Sequence, residues 1–172
     1  AVVVTALADV YQDQLDQTLK VLNNKDRARI DIPVERQFVG FDAYKKLIDS
    51  GVDVVLLCSP PNFRPDHLEY AVQKNKHIFC EKPVAVDIPS LKRVMESVKL
   101  AKERNLKLVS GFCFRYSFPN REIMKRVQAG AIGDIKSVMT FRCGGELTTH
   151  DRKPDWSDLD YELRNWFNYQ RY

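Results

Sequence analysis

Two apolar runs, each broken off by a polar turn that carries proline, constrain this chain more than anything else in it. Val54-Val55-Leu56-Leu57-Cys58 runs into Ser59-Pro60-Pro61-Asn62, and His77-Ile78-Phe79-Cys80 runs into Glu81-Lys82-Pro83. The first run shows no polar alternation, which is the pattern of a parallel strand buried on both faces. Proline has no N–H and a fixed φ, so neither strand continues through its turn. Between the runs, Leu68, Ala71 and Val72 recur at helical spacing, with Pro65 in the first turn and Asn75 as a stop. The stretch therefore reads as one strand–helix–strand unit with both polar turns at the same end. Small ligands bind outside the carboxyl ends of the strands in an open parallel sheet, so Ser59, Asn62, Glu81 and Lys82 mark where chemistry is expected.

The rest of the chain frames this unit. Residues 2–8 are β-branched and predict a strand ending at Asp9, and Leu15, Leu19 and Leu22 predict a helix that stops at Asn23-Asn24. Residues 31–35 read as a short strand that Pro33 puts near an edge. Tyr44, Leu47 and Ile48 mark a helix stopped by Gly51. Downstream, Asp87 is placed to cap a long helix with Pro89 in its first turn and a buried stripe of Leu91, Val94, Met95, Val98 and Ala101. Residues 107–110 form one more strand. Strands alternating with helices at this rate predict an α/β fold with right-handed crossovers and a doubly wound parallel sheet. After Tyr116 the pattern changes. A helix through Ile123, Met124 and Val127 ends at Gly130, and residues 135–142 alternate as in an antiparallel strand wet on one face. The domain boundary is expected at Tyr116, giving domains 1–116 and 117–172, with 144–172 a polar and aromatic loop.

Composition excludes several classes. With 172 residues, 44% hydrophobic and 29% charged, the chain is ordinary globular material. No apolar run approaches the ~20 residues of a membrane-spanning helix. The net charge of +4 is spread among acids, which argues against a nucleic-acid partner. Cys58, Cys80, Cys113 and Cys143 are 22, 33 and 30 apart, and His67, His77 and His150 are scattered; no metal pattern results, so buried reduced thiols and structural or surface histidines are expected. The chain opens at Ala1 inside a β-type run and reads as a fragment, with no export signal legible and a cytoplasmic location as the default expectation.

The Ser59-Pro60-Pro61-Asn62 and Glu81-Lys82-Pro83 turns and Gly111-Phe112-Cys113-Phe114-Arg115-Tyr116, in this order and on these elements, resemble the Gfo/Idh/MocA oxidoreductases, the glucose-fructose oxidoreductase and inositol dehydrogenase family. The resemblance runs to about Arg142. It implies a Rossmann domain, here without its first strand and glycine-rich turn, followed by the start of an α/β domain with an antiparallel sheet. It also implies NAD or NADP as cofactor, a sugar, cyclitol or polyol as substrate, and a homo-oligomer at full length. Asp9 would hold the adenosine ribose. Ser59, Pro60 and Asn62 would lie along the cofactor, Glu81 and Lys82 at the nicotinamide and substrate, and Arg115 near the substrate. Related activities within such a family are a redox-assisted glycoside hydrolase and a ligand sensor without turnover.

The chemistry supports the lysine independently. Oxidising an alcohol needs a base for the hydroxyl proton while hydride leaves for the nicotinamide. An amine partly buried beside the cationic ring of an oxidised nicotinamide is pushed toward its neutral, basic form. A lone Glu-Lys-Pro is more often an exposed, paired turn; position and companions make Lys82 the catalytic candidate here. For cofactor choice, anionic Asp9 would repel a 2′-phosphate, and Val10-Tyr11-Gln12-Asp13 supplies no arginine to neutralise one, so NAD is expected over NADP. The fragment by itself is expected to be inactive.

Overall fold

Every strand ladder in the computed structural model is parallel, and the ladders fall into two separate sheets. The structure describes residues 2–25, 29–141, 143–145, 147–169 and 171. In the first sheet β1 (Leu7–Asp9) pairs with β2 (Gln37–Val39), Leu7 opposite Gln37 and Asp9 opposite Val39. Helix α1 (Gln12–Lys25) makes the crossover between them, and α2 (Ala43–Asp49) follows β2. The second sheet has the order β3 (Val54–Leu57), β4 (His77–Cys80), β5 (Leu108–Ser110), connected by α3 (Arg64–Gln73) and α4 (Ile88–Glu103). Two-fold matching with the Rossmann order 3-2-1-4-5-6 is direct: β2-β1 forms one flank and β3-β4-β5 the other. Among the described residues no strand fills the central place between β1 and β3.

The core lies on one face of the second sheet. Val55, Leu57, Ile78 and Cys80 point inward against Leu68, Ala71 and Val72 of α3, Val94 and Ala101 of α4, and Ile48 of α2. The opposite face is open. Val54 is 50% and Leu56 70% exposed, so β3 is not buried on both faces as its apolar run predicts. Full burial of a Leu or Val side chain stabilises by about 1.5–3 kcal/mol, and Leu56 forgoes most of that. No described helix covers it.

Helix boundaries follow local chemistry. The Asp87 side chain accepts a hydrogen bond from Ser90 N at 2.7 Å and caps α4, with Pro89 in the first turn. Asn75 stops α3 in the left-handed region at φ 56°, and Gly51 follows α2 at φ 87°. The Arg104 guanidinium, just past α4, donates to Val72 O, Gln73 O and Asn75 Oδ1, placing a cation on the carbonyls that end α3.

Several expectations need correction. The strand after α1 is not 31–35: Pro33 and the following 3-10 turn Val34–Arg36 displace pairing to Gln37–Val39. The expected strand 2–8 pairs only from Leu7 onward, with an isolated parallel bridge from Val4 to Ile30. On α4 the buried stripe is Val94, Ser97 and Ala101, while Leu91, Met95 and Val98 face outward, because α3 meets only the narrower face.

Compactness divides the chain into Ala1–Ser110 and Gly111–Tyr172, ahead of Tyr116. The second unit holds α5 (Cys113–Tyr116), α6 (Phe118–Gln128) and α7 (Asp158–Arg164). Residues 135–141 form no strand, and Arg142 lies outside the described residues. A strand needs a ladder partner, and none is present for this segment among the described residues; Val138, Met139 and Phe141 stand exposed. Nor is 144–172 a formless loop. Ser157 and Asp160 build a reciprocal capping box at the start of α7, and buried Asn165 exchanges hydrogen bonds with the backbone N and O of His150.

Parallel strands with one unpaired edge and a bare apolar face invite pairing with other chains. Expressed alone, residues 1–172 should self-associate and melt without a cooperative transition. Sedimentation velocity with a circular-dichroism melt checks this; a monomer with a sharp transition would refute it.

Candidate functional site

The β3–β4 ladder brings two polar turns side by side. Leu57 lies opposite Cys80, and the next amide, Glu81 N, still donates to Leu57 O at 3.0 Å. Beyond that hydrogen bond the strands part, one into Ser59-Pro60-Pro61-Asn62, the other into Glu81-Lys82-Pro83. The first turn is closed by Phe63 N donating to Pro60 O. Pro61 is buried beneath it, Ser59 and Pro60 are half-buried, and Asn62 is exposed. In the second turn Glu81 is half-buried and its Oε2 accepts from Lys82 N at 3.1 Å; the Lys82–Pro83 peptide is cis, and the Lys82 side chain is exposed at the tip. Ser59, Pro60, Asn62, Glu81 and Lys82 thus share one sheet edge.

Two residues of α3 tie to these turns, and neither was singled out from sequence. Ser59 Oγ and His67 Nδ1 share a hydrogen bond at 3.1 Å. The His67 ring stacks on Tyr44 of α2 at 4.0 Å between centroids and lies near-parallel to Phe63 at 6.3 Å. This aromatic enclosure removes water, and burial lowers the imidazole pKa from 6.5 to about 4, the nearby Asp66 carboxylate opposing the shift only in part. His67 is therefore neutral at pH 7. Arg64, at the first position of α3, is 3% exposed and donates through a terminal guanidinium nitrogen to Pro83 O. A histidine one helical turn inside a helix that follows a Ser-Pro-Pro turn, and a cation at that helix's start, are the signals that could have drawn attention.

Asp9 ends β1, and its Oδ1 accepts from Tyr11 N at 2.9 Å, shaping the entry to α1 as a strand-end aspartate commonly does. Its carbonyl accepts from Gly40 N, just past β2. Arg115 is exposed on α5 in the second unit. Of the four cysteines only Cys80 is buried; burial pushes its thiol up to about 11, while Cys58, Cys113 and Cys143 are exposed. The described residues hold no cluster of metal-ligating side chains, and no helix among them is long and apolar enough to cross a membrane.

The sequence model of the oxidoreductase family with an NAD-binding Rossmann fold, the Gfo/Idh/MocA family, matches residues 4–112. The chain belongs to this family. Myo-inositol 2-dehydrogenase of Thermotoga maritima is 28% identical over 128 residues, covering 74% of this chain and 34% of that protein. Among solved structures, myo-inositol 2-dehydrogenase from Lactobacillus plantarum aligns with a TM-score of 0.59 at 25% identity, over 77% of this chain and 35% of that one. A point mutant of a 3-ketoreductase from Actinomadura kijaniata in complex with TDP-benzene and NADP aligns with a TM-score of 0.56 at 25% identity, over 77% of this chain and 36% of that one. The chain spans about a third of the length of these Gfo/Idh/MocA relatives.

The depressed His67 pKa has a consequence for stability. The folded state binds this proton less readily than the unfolded state, so the contribution is complete above pH 6.5 and is lost as pH falls toward about 4. That difference corresponds to roughly 3 kcal/mol at most. In the full-length protein, urea midpoints measured from pH 7 to pH 4 should fall, and His67→Gln should flatten that fall. An unchanged pH slope in the variant would refute the assignment.

Proposed function

We propose that the full-length protein is an NAD-dependent oxidoreductase that moves a hydride between the nicotinamide and a sugar, cyclitol or related polyol. The observation that carries this reading is the pair of polar turns, Ser59–Asn62 and Glu81–Lys82, held side by side at the carboxyl ends of two ladder-paired strands in a chain of this family. The polar groups at the carboxyl ends of β1 and β3 suit a dinucleotide. A carboxylate at Asp9, a hydroxyl at Ser59 and an amide at Asn62 are the groups that hydrogen-bond ribose hydroxyls and a carboxamide. Bound there, the nicotinamide supplies the hydride acceptor.

The chain's own residues do the rest. Lys82 Nζ, exposed at the tip of the β4 turn until a nicotinamide binds beside it and favours its neutral form, takes the hydroxyl proton of an alcohol substrate on oxidation and returns it on reduction. The Glu81 carboxylate, tied to Lys82 N, orders the turn, while Pro60 and Pro61 stiffen the opposite one. Arg115 is assigned to the substrate, and the inositol dehydrogenases among the relatives support a cyclitol or sugar.

Two outcomes test this. Lys82→Met in the full-length enzyme should lower kcat by a factor on the order of 10² to 10⁴ while leaving NAD affinity nearly unchanged, as loss of an acid–base group does. Near-parental turnover in a folded variant would remove Lys82 from the chemistry. Cofactor titration by intrinsic fluorescence should give tighter binding of NAD than of NADP, because Asp9 repels a 2′-phosphate. Tighter NADP binding would overturn the cofactor choice.

A further inference from the structure

Arg64 occupies a place that is electrostatically unfavourable. It is the first residue of α3, where the unpaired N–H groups of the first turn carry positive partial charge, and it is 3% exposed. Arg104 shows the favourable alternative, a guanidinium at the C-terminal carbonyls of the same helix. A guanidinium does not lose its proton in a protein, so Arg64 stays charged despite burial. Burying an ion is costly unless hydrogen bonds and opposite charge offset it. The offset the geometry shows is the hydrogen bond to Pro83 O; the Cys80 and Cys58 thiols and, after them, the Glu81 carboxylate also favour the cation, and Arg64 Nε has no hydrogen-bond partner among the described residues. The hydrogen bond and the carboxylate belong to the turn that carries Lys82.

We infer that Arg64 is a positioning residue for the reaction: its charge-assisted hydrogen bond to Pro83 O fixes the Glu81-Lys82-Pro83 turn against the start of α3, and so fixes where Lys82 presents its amine. This rests on the reading of Lys82 given above. With His67 holding Ser59 from the next turn, α3 would act on both polar turns of the site, but Arg64 alone acts on the one that bears the proton-transfer group.

The test uses the full-length protein and two readouts. Arg64→Met should lower kcat for polyol-dependent NAD reduction about 10- to 100-fold, the usual effect of a small misplacement of a reacting group, with KM for NAD nearly unchanged. Hydrogen exchange read by mass spectrometry should rise in the peptide spanning 81–86 and stay at parental values in α1 and β2. Arg64→Lys, which keeps the charge and one donor, should recover most of both. If the methionine variant does not fold, Arg64→Gln carries the same readouts, since its amide ends short of Pro83. Unchanged exchange in 81–86 would overturn the inference. So would a rise spread evenly through the unit with kcat intact, the signature of a merely structural arginine. If the parent protein reduces no NAD with any polyol, the proposed function fails, and the exchange readout still decides whether Arg64 holds the turn.

Discussion

A parallel strand is stable in a sheet only when its N–H and C=O groups find ladders, and this requirement governs what the chain can and cannot build. Among the described residues β4 has partners on both sides, and β1 and β3 have one each. The most extensive ladder is accordingly the β3-β4-β5 sheet with α3 and α4 packed on one face, and among the described residues the two sheets meet in no ladder. The open face of β3, with Leu56 and Val54 toward solvent, belongs to the same deficit. The edge that carries both polar turns inherits its geometry from these ladders, because each turn begins where a strand loses its last hydrogen bond.

That inheritance explains why the site is organised around α3. The helix leaves β3 through the Ser59–Asn62 turn and returns to β4, and its first two turns lie beside both strand ends. His67 is held neutral between Tyr44 and Phe63 and is bonded to Ser59; Arg64 is held charged and bonded to Pro83 O. One helix end thus combines a desolvated base and a desolvated cation within four residues. The proline turns limit what those side chains must restrain, since Pro60, Pro61 and Pro83 already remove much backbone freedom.

The strand–helix–strand unit was legible in the sequence because its punctuation is chemical: prolines end both strands, Asn75 ends the helix, Asp87 caps the next one. The family resemblance read from those same turns agrees with the family shown by comparison. What stayed hidden depends on partners far away in sequence. Gln37–Val39 is a strand because β1 lies beside it, and its three residues carry no pattern of their own. An unbroken apolar run does not say whether one face or two will be covered, so β3 misled. On α4, Leu91, Met95 and Val98 look as apolar as Val94 and Ala101, and only the position of α3 separates them. Residues 135–141 alternate without a ladder to join. Arg64 and His67 have ordinary surface-residue identities, and their roles come from burial, which periodicity does not report.

Asn165 closes a 15-residue stretch by taking both backbone groups of His150 with one side-chain amide, as a neighbouring strand would. A segment sealed in this way does not wait for distant parts of the chain. Loops of this order close within about 10–100 ns, far faster than parallel ladders assemble, since parallel pairing must first bring together residues dozens of positions apart. The capped helix α7 and the His150 strap are thus held by contacts close in sequence, whereas the parallel ladders depend on residues far apart along the chain.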